Sequence, residues 1–296
     1  MLKNENMSYV LDKDIRKVFV QSYKEVPNPI ANLYNVMSSD VATESVAGMG
    51  DYGSIDEFTD KVNYKDIDQQ YQTNVSHTEY AGGIQIRRKL IDDAQTSIIS
   101  KLPAQLGRAM AYRRQQDAAK IFNEAFTAGS TFGDSVSLCN ASHPSTSSSS
   151  VQSNTGTSLL SPANITATRL AMRKYVSPNQ NIVSIIPNLL LVPIDKEDIC
   201  TEILKTDKDV YGANNTINVN YGRFTYIAWE FLSSTTAWFM IDKAMMKDSL
   251  TWYNRIQTEF NKDMDTDTLV HKYSAYMRYS ATTSDFRWIM GQNATA

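Results

Sequence analysis

The sequence predicts an α+β fold, and three observations carry that prediction. Residues 103–127 hold no internal breaker except Gly107 and keep an apolar stripe at helical spacing through Leu106, Met110, Ala118, Ile121, Phe122 and Ala125. Residues 58–86 mix aromatic and β-branched side chains with polar ones, as long half-exposed strands do. From Ser161 onward, helical and extended patterns follow one another. With 42% apolar and 21% charged residues among 296, the chain can bury a substantial core, as one large domain or two intimate subdomains.

Taken in order, Leu11, Ile15, Val18 and Phe19 predict a short amphipathic helix over residues 11–23, with Asp12 and Asp14 early and Lys24 late, as the helix dipole favours. Pro27 and Pro29 end it, so what precedes Gly48 reads as an arm. The Gly48, Gly50 and Gly53 cluster is a turn signal. Beyond it, Tyr64, Tyr71 and Tyr80 are expected on a long hairpin with no core beneath it, a setting that suits burial against another subunit. Ile84 to Arg87 is a short alternating strand.

Asp92 and Asp93 are expected to open a helix that Pro103 breaks or restarts, and from Pro103 to Thr127 one long helix of roughly 37 Å is expected at 1.5 Å per residue, ended by Gly129. Residues 129–157, with the serine run 145–150, read as a surface loop. Ser161 caps a helix over 163–176 with Pro162 at its first turn. A buried strand region at 182–192, a helix at 195–206 and two aromatic-rich strands within 217–239 follow. Segments 268–279 and 286–290 are extended and are expected to pair.

Several function classes are excluded. Twenty-nine basic against 32 acidic residues, a net charge of -3, give no field that would draw the chain to nucleic acid or an anionic membrane. The longest apolar stretch, 182–194, is broken by Ser184, Pro187, Asn188 and Pro193 and is too short for a bilayer. Residues 1–10 lack a secretory signal, so the chain is expected to stay in the cytosol where it is made. Cys139 and Cys200 fit neither a zinc nor a redox spacing and read as free thiols. His77, His143 and His271 have no ligand-spaced neighbours, so no metal is expected. Asp92 with Asp93, and Asp263, Asp265 and Asp267, read as a helix start and a solvated loop. Neither GxGxxG nor a P-loop occurs, and no cofactor or catalytic residue is expected.

Four segments resemble, in their order, the major head subunit family of Mu-like and related tailed phages, whose fold is the Hong Kong 97 type. They are Leu33-Tyr34-Asn35-Val36-Met37-Ser38-Ser39-Asp40 with the turn near Gly50; Ile86-Arg87-Arg88-Lys89-Leu90-Ile91-Asp92-Asp93 leading to Leu106-Gly107-Arg108-Ala109 and Phe122-Asn123-Glu124-Ala125-Phe126; Gly133-Asp134 with Leu138-Cys139-Asn140-Ala141-Ser142-His143-Pro144 and Leu160-Ser161-Pro162-Ala163-Asn164; and Pro187-Asn188-Leu189-Leu190-Leu191-Val192-Pro193 with Trp238-Phe239-Met240 and Phe286-Arg287-Trp288. The likeness runs from about residue 33 to the end.

The resemblance implies an N-terminal arm at 1–47, an extended E-loop hairpin at 48–86, a peripheral (P) domain with spine helix and Ser-rich loop at 87–159 and 256–296, and an axial (A) domain at 160–255. It implies a major capsid protein that assembles into pentamers and hexamers around double-stranded DNA, residing in the virion. Phe58, Val62, Tyr64, Ile67, Tyr71, Val75 and Tyr80 become the inter-subunit contact candidates. Expected partners are its own copies, a separate scaffolding protein, a portal and a decoration protein, with DNA enclosed without sequence-specific binding. Some shells of the family are cross-linked from an E-loop lysine. Lys61 and Lys65 lie in that region, but no partner Asn or activating Glu matches, so no cross-link is expected. Two other readings are an encapsulin-type compartment with the same fold and a cytosolic hydrolase pairing His143 with a nearby serine.

Overall fold

The computed structural model describes residues 4–53, 55, 57–58, 60–62, 64, 67, 69–93, 96–128, 132–146, 150–208 and 217–294. In chain order its elements are α1 (Asn4–Glu25), α2 (Ile30–Leu33), β1 (Asn35–Ser38), β2 (Thr43–Met49), β3 (Gln69–Ser76), β4 (Thr78–Arg87), α3 (Arg88–Asp92) and α4 (Thr96–Asn123). Three short strands follow, β5 (His143–Pro144), β6 (Val151–Gln152) and β7 (Thr155–Gly156), and then α5 (Pro162–Met172), β8 (Leu189–Pro193), α6 (Glu197–Lys205), β9 (Thr225–Trp229) and β10 (Trp238–Ile241). The chain closes with α7 (Lys243–Ser249), β11 (Leu250–Asp265), β12 (Val270–Thr283) and β13 (Ile289–Gln292).

The long helix α4 has 28 residues, about 42 Å, and passes straight through Pro103. An interior proline costs about 3 kcal/mol of helix stability. Tertiary burial overrides that cost here, because Ile99, Leu106 and Met110 on either side of it are buried. Asp92 ends the short α3 and does not open α4, and Gly129 lies outside the described residues. Gly107 lets α1 approach closely: a Cβ there would sit 2.6 Å from the Phe19 carbonyl oxygen. The expected arm is therefore not detached. α1 is longer than its apolar pattern suggests, buries Ile15 and Phe19, and sets the Phe19 ring 4.6 Å from Phe260.

Two sheets flank α4. The first has the order β1-β11-β12-β4, with β1 parallel to β11 and the other pairs antiparallel. The second has the order β7-β13-β10-β8-β9. Leu189, Leu191, Phe239, Ile241 and Ile289 face the core that holds α4, and the alternating Leu190, Val192, Trp238, Met240 and Met290 face a second core with Ile165, Met172, Cys200, Ile203 and Leu204 of α5 and α6. Burial on both faces is why Leu189 to Val192 reads as an unbroken apolar run. Phe122, near the end of α4, makes edge-on contacts with Tyr34, just before β1, at 6.5 Å, with Phe239 of β10 at 5.7 Å and with Trp288, just before β13, at 6.2 Å.

Segments 268–279 and 286–290 do not pair. β12 lies between β11 and β4, whereas β13 pairs with β10 and β7 in the other sheet. The Ser161 cap forms as expected, its Oγ accepting from the Asn164 amide at 3.2 Å, although α5 stops at Met172.

Candidate assembly surfaces

β2 and β3 pair antiparallel from Thr43↔Ser76 to Met49↔Gln69, and among the described residues no third strand joins them. A two-stranded ribbon is marginal by itself, so its root matters. His77, between β3 and β4, is buried there, with Nε2 3.0 Å from Ser39 Oγ and Nδ1 2.9 Å from Ser280 Oγ. Burial, and after it the Arg278 guanidinium, push this imidazole below the ordinary histidine range. Further out, Asp51 accepts hydrogen bonds from Asn179 Nδ2 at 3.0 Å and Asn181 Nδ2 at 2.8 Å. Burial pushes the Asp51 carboxyl up, but bonds from Asn181, Ser177 and Asn179 outweigh that and leave it below the usual carboxylate range.

Past this tether the apolar side chains turn to solvent. Ile55 is 87% exposed, Phe58 70% and Tyr64 89%, and Val62 and Ile67 are exposed with them. Tyr71 and Val75 are half-buried on β3. Tyr80 is not on this hairpin, because β4 leaves the ribbon to pair with β12 in the first sheet. Its ring stacks on Tyr279 at 5.1 Å beneath the Arg113 guanidinium at 4.6 Å. Lys61 is exposed in the same segment, and Lys65 lies outside the described residues.

A second apolar surface was not anticipated. Over 217–221 the alternation is inverted: Asn218 and Asn220 are buried, while Ile217, Val219 and Tyr221 are exposed. Asn218 Nδ2 donates to the Ile203 and Thr206 carbonyls at the end of α6, and Asn220 Nδ2 to the Pro162 carbonyl at the start of α5. Asparagine at alternate positions of an apolar strand-like run was the available signal, since such a residue satisfies carbonyls inward and leaves its neighbours outward.

His143 does not serve a serine. Its ring lies 3.7 Å from Phe286, with Nδ1 2.6 Å from Asp134 Oδ2 and Nε2 2.9 Å from Asn154 Oδ1, so neither ring nitrogen is free to take a hydroxyl proton. His143, Asp134 and Phe286 line a shallow pocket with Tyr71, Leu138 and Arg287. Asp265 lies at the β11–β12 turn, where Lys272 at 2.9 Å, with Thr268, holds its carboxyl at about 2. Among the described residues no three His, Cys, Asp or Glu side chains converge to hold a metal, and no helix is long and apolar enough to cross a membrane.

The model of a family described as phage capsid protein matches residues 70–290. No curated protein matches the chain. Among solved structures, the capsid of bacteriophage JBD30 gives a TM-score of 0.53 at 10% identity over 92% of this chain and 66% of that one, just under two thirds of its length. A virus-like particle from Pyrococcus furiosus gives 0.56 at 9% identity over 95% and 98%. Mycobacterium phage Adephagia gives 0.55 at 10% identity over 92% and 91%. At such identities the likeness is one of fold, and the fold is the Hong Kong 97 type.

Proposed function

The chain belongs to the phage capsid protein family, and from that premise we propose that it is the major shell subunit of a tailed-phage head, assembling through pentamers and hexamers around double-stranded DNA. One observation carries the reading of how it assembles. A ribbon anchored at His77 and Asp51 ends in Ile55, Phe58, Val62, Tyr64 and Ile67 with no core of its own beneath them. Apolar side chains grouped in this way mark an interaction site, and here the occupant is a neighbouring copy of the chain. The ribbon and the segment beyond it act as the extended loop, α4 and the first sheet as the peripheral domain, and the second sheet with α5 and α6 as the axial domain. The Mu-like placement within the family rests on the order of the four sequence segments.

The finer partners follow from the same reading: a separate scaffolding protein, a portal and a decoration protein. A JBD30 capsid is described as decorated with minor capsid protein trimers, and that phage also has a procapsid. DNA is enclosed, with no sequence read, in keeping with the near-neutral charge of -3. An encapsulin-type shell would have the same fold and differ in its contents.

Negative-stain electron microscopy of the protein expressed alone and with a scaffolding protein tests this. Closed shells or five- and six-membered rings are expected. Persistent monomers under both conditions would contradict the proposal, and shells filled with protein cargo would transfer the chain to the compartment reading.

A further inference from the structure

The axial region carries a group of like charges for which the described residues supply no carboxylate partner. Arg169 in the last turn of α5 and Arg173 at its C-cap share a helix face with Thr166, whose Oγ1 lies 3.4 Å from Asn220 Oδ1, so the segment that runs on to Arg223 lies along that face; burial, then Arg223 and Arg173, lower the Arg169 pKa. Among the described residues no carboxylate pairs with any of the three, and Arg169 Nε is buried without a hydrogen-bond partner. Leu170 on α5, and Ile217, Val219 and Tyr221 on the segment that precedes Arg223, are exposed as well. Asn218 and Asn220 tie the segment that carries Ile217, Val219 and Tyr221 to the end of α6 and the start of α5 before anything docks. Arginine set among aromatic and aliphatic side chains is the composition of a protein interface core.

The complementary charge lies elsewhere on the same chain. Asp195, Glu197 and Asp198 stand exposed beside exposed Ile194 in the turn that leads from β8 into α6. β8 and β9 are parallel, with Leu189↔Thr225 at one end and Pro193↔Trp229 at the other. Arg223 precedes the start of β9, and the acidic turn follows the end of β8, so about 13 Å of strand separates them. They cannot meet within one chain.

We propose that the Arg169, Arg173 and Arg223 surface docks on the Asp195, Glu197 and Asp198 turn of the next copy. The contact is heterologous, head to tail, and a ring closes it. Charge fixes the direction in which copies follow one another, and the exposed apolar residues supply the buried area. This rests on the reading of the chain as a self-assembling shell subunit.

The test is a charge exchange on exposed residues, read by sedimentation of the full chain beside wild type. Arg173→Glu with Arg223→Glu should lower the fraction in rings and shells about tenfold or more, and Glu197→Lys with Asp198→Lys should do the same. One chain carrying all four changes should assemble again, because both surfaces are exchanged together. Circular dichroism and melting of the unassembled subunits check that each variant is folded; if one is not, Tyr221→Ser, which leaves every charge in place, should still weaken assembly. Wild type failing to assemble would remove the shell reading itself. Wild type and both charge variants assembling equally, or the fourfold variant staying dispersed while folded, would overturn the head-to-tail contact alone. So would normal assembly of the arginine variant with loss of filter binding to a duplex DNA fragment, which would assign the arginines to the genome.

Discussion

The long helix and the ribbon segment carry similar side chains in opposite circumstances. On α4, Leu106, Met110, Ala118 and Phe122 are enclosed by α1 and two sheets, whereas in the segment beyond β2, Ile55, Phe58 and Tyr64 are open to solvent. Apolar area of this kind contributes stability only where it leaves water, at about 25 cal/mol per Å². The subunit gains its own folding energy from the first region, and under the proposed function the second is the area that association would bury. Substitutions in the two regions should therefore fail in different ways.

The largest expected effect is in the helix region. Phe122→Ala removes a buried aromatic that contacts Tyr34 and Phe239 and should cost about 3–5 kcal/mol, seen as a lower denaturant midpoint of the unassembled subunit. Gly107→Ala would press a methyl into the Phe19 carbonyl and force α1 off α4, costing about 1–3 kcal/mol in the same assay. Phe58→Ser with Tyr64→Ser should leave that midpoint within about 0.5 kcal/mol of wild type, because both side chains are already exposed, yet abolish shells in sedimentation. A matched loss of stability there would erase the contrast.

The ribbon root should respond to pH. His77 is held neutral in the fold, so the unfolded chain takes up a proton first as pH falls, and the contribution is complete above the ordinary histidine range and declines below about 6.5. Glu44, Arg255 and Arg278 are the charges that face it. The melting temperature of the subunit should fall on acidification through that range, and His77→Gln should flatten the change. The smallest effect concerns the thiols. Cys139 and Cys200 are buried, which pushes both up, Cys200 to about 12, so neither should react with a thiol reagent until the chain unfolds.

Local signals were legible and partners were not. Ser161 and Pro162 announced the start of α5, and the stripe from Leu106 to Ala125 announced α4, because caps and periodicity act within one or two turns. β11 escaped notice since register shifts at Asn254/Ile256 and Ile256/Glu259 interrupt its alternation. The choice of β2 as the partner of β3, and of β10 as that of β13, depends on residues far apart in the chain, and for β10 it is set by burial on both faces of its sheet. Phe58, Val62, Tyr64 and Ile67 are exposed, as expected of a segment without a core beneath it, whereas Tyr80 stacks on Tyr279 in the first sheet. The second surface at Ile217, Val219 and Tyr221 was missed because its alternation points the asparagines inward.

A cryo-electron microscopy reconstruction of particles assembled from the purified chain tests the central claim most directly. Density for residues 52–67 lying across a neighbouring copy, with Phe58 and Tyr64 buried in it, is the expected result. The same segment folded onto its own subunit, or left in solvent in a fully formed shell, would contradict the account.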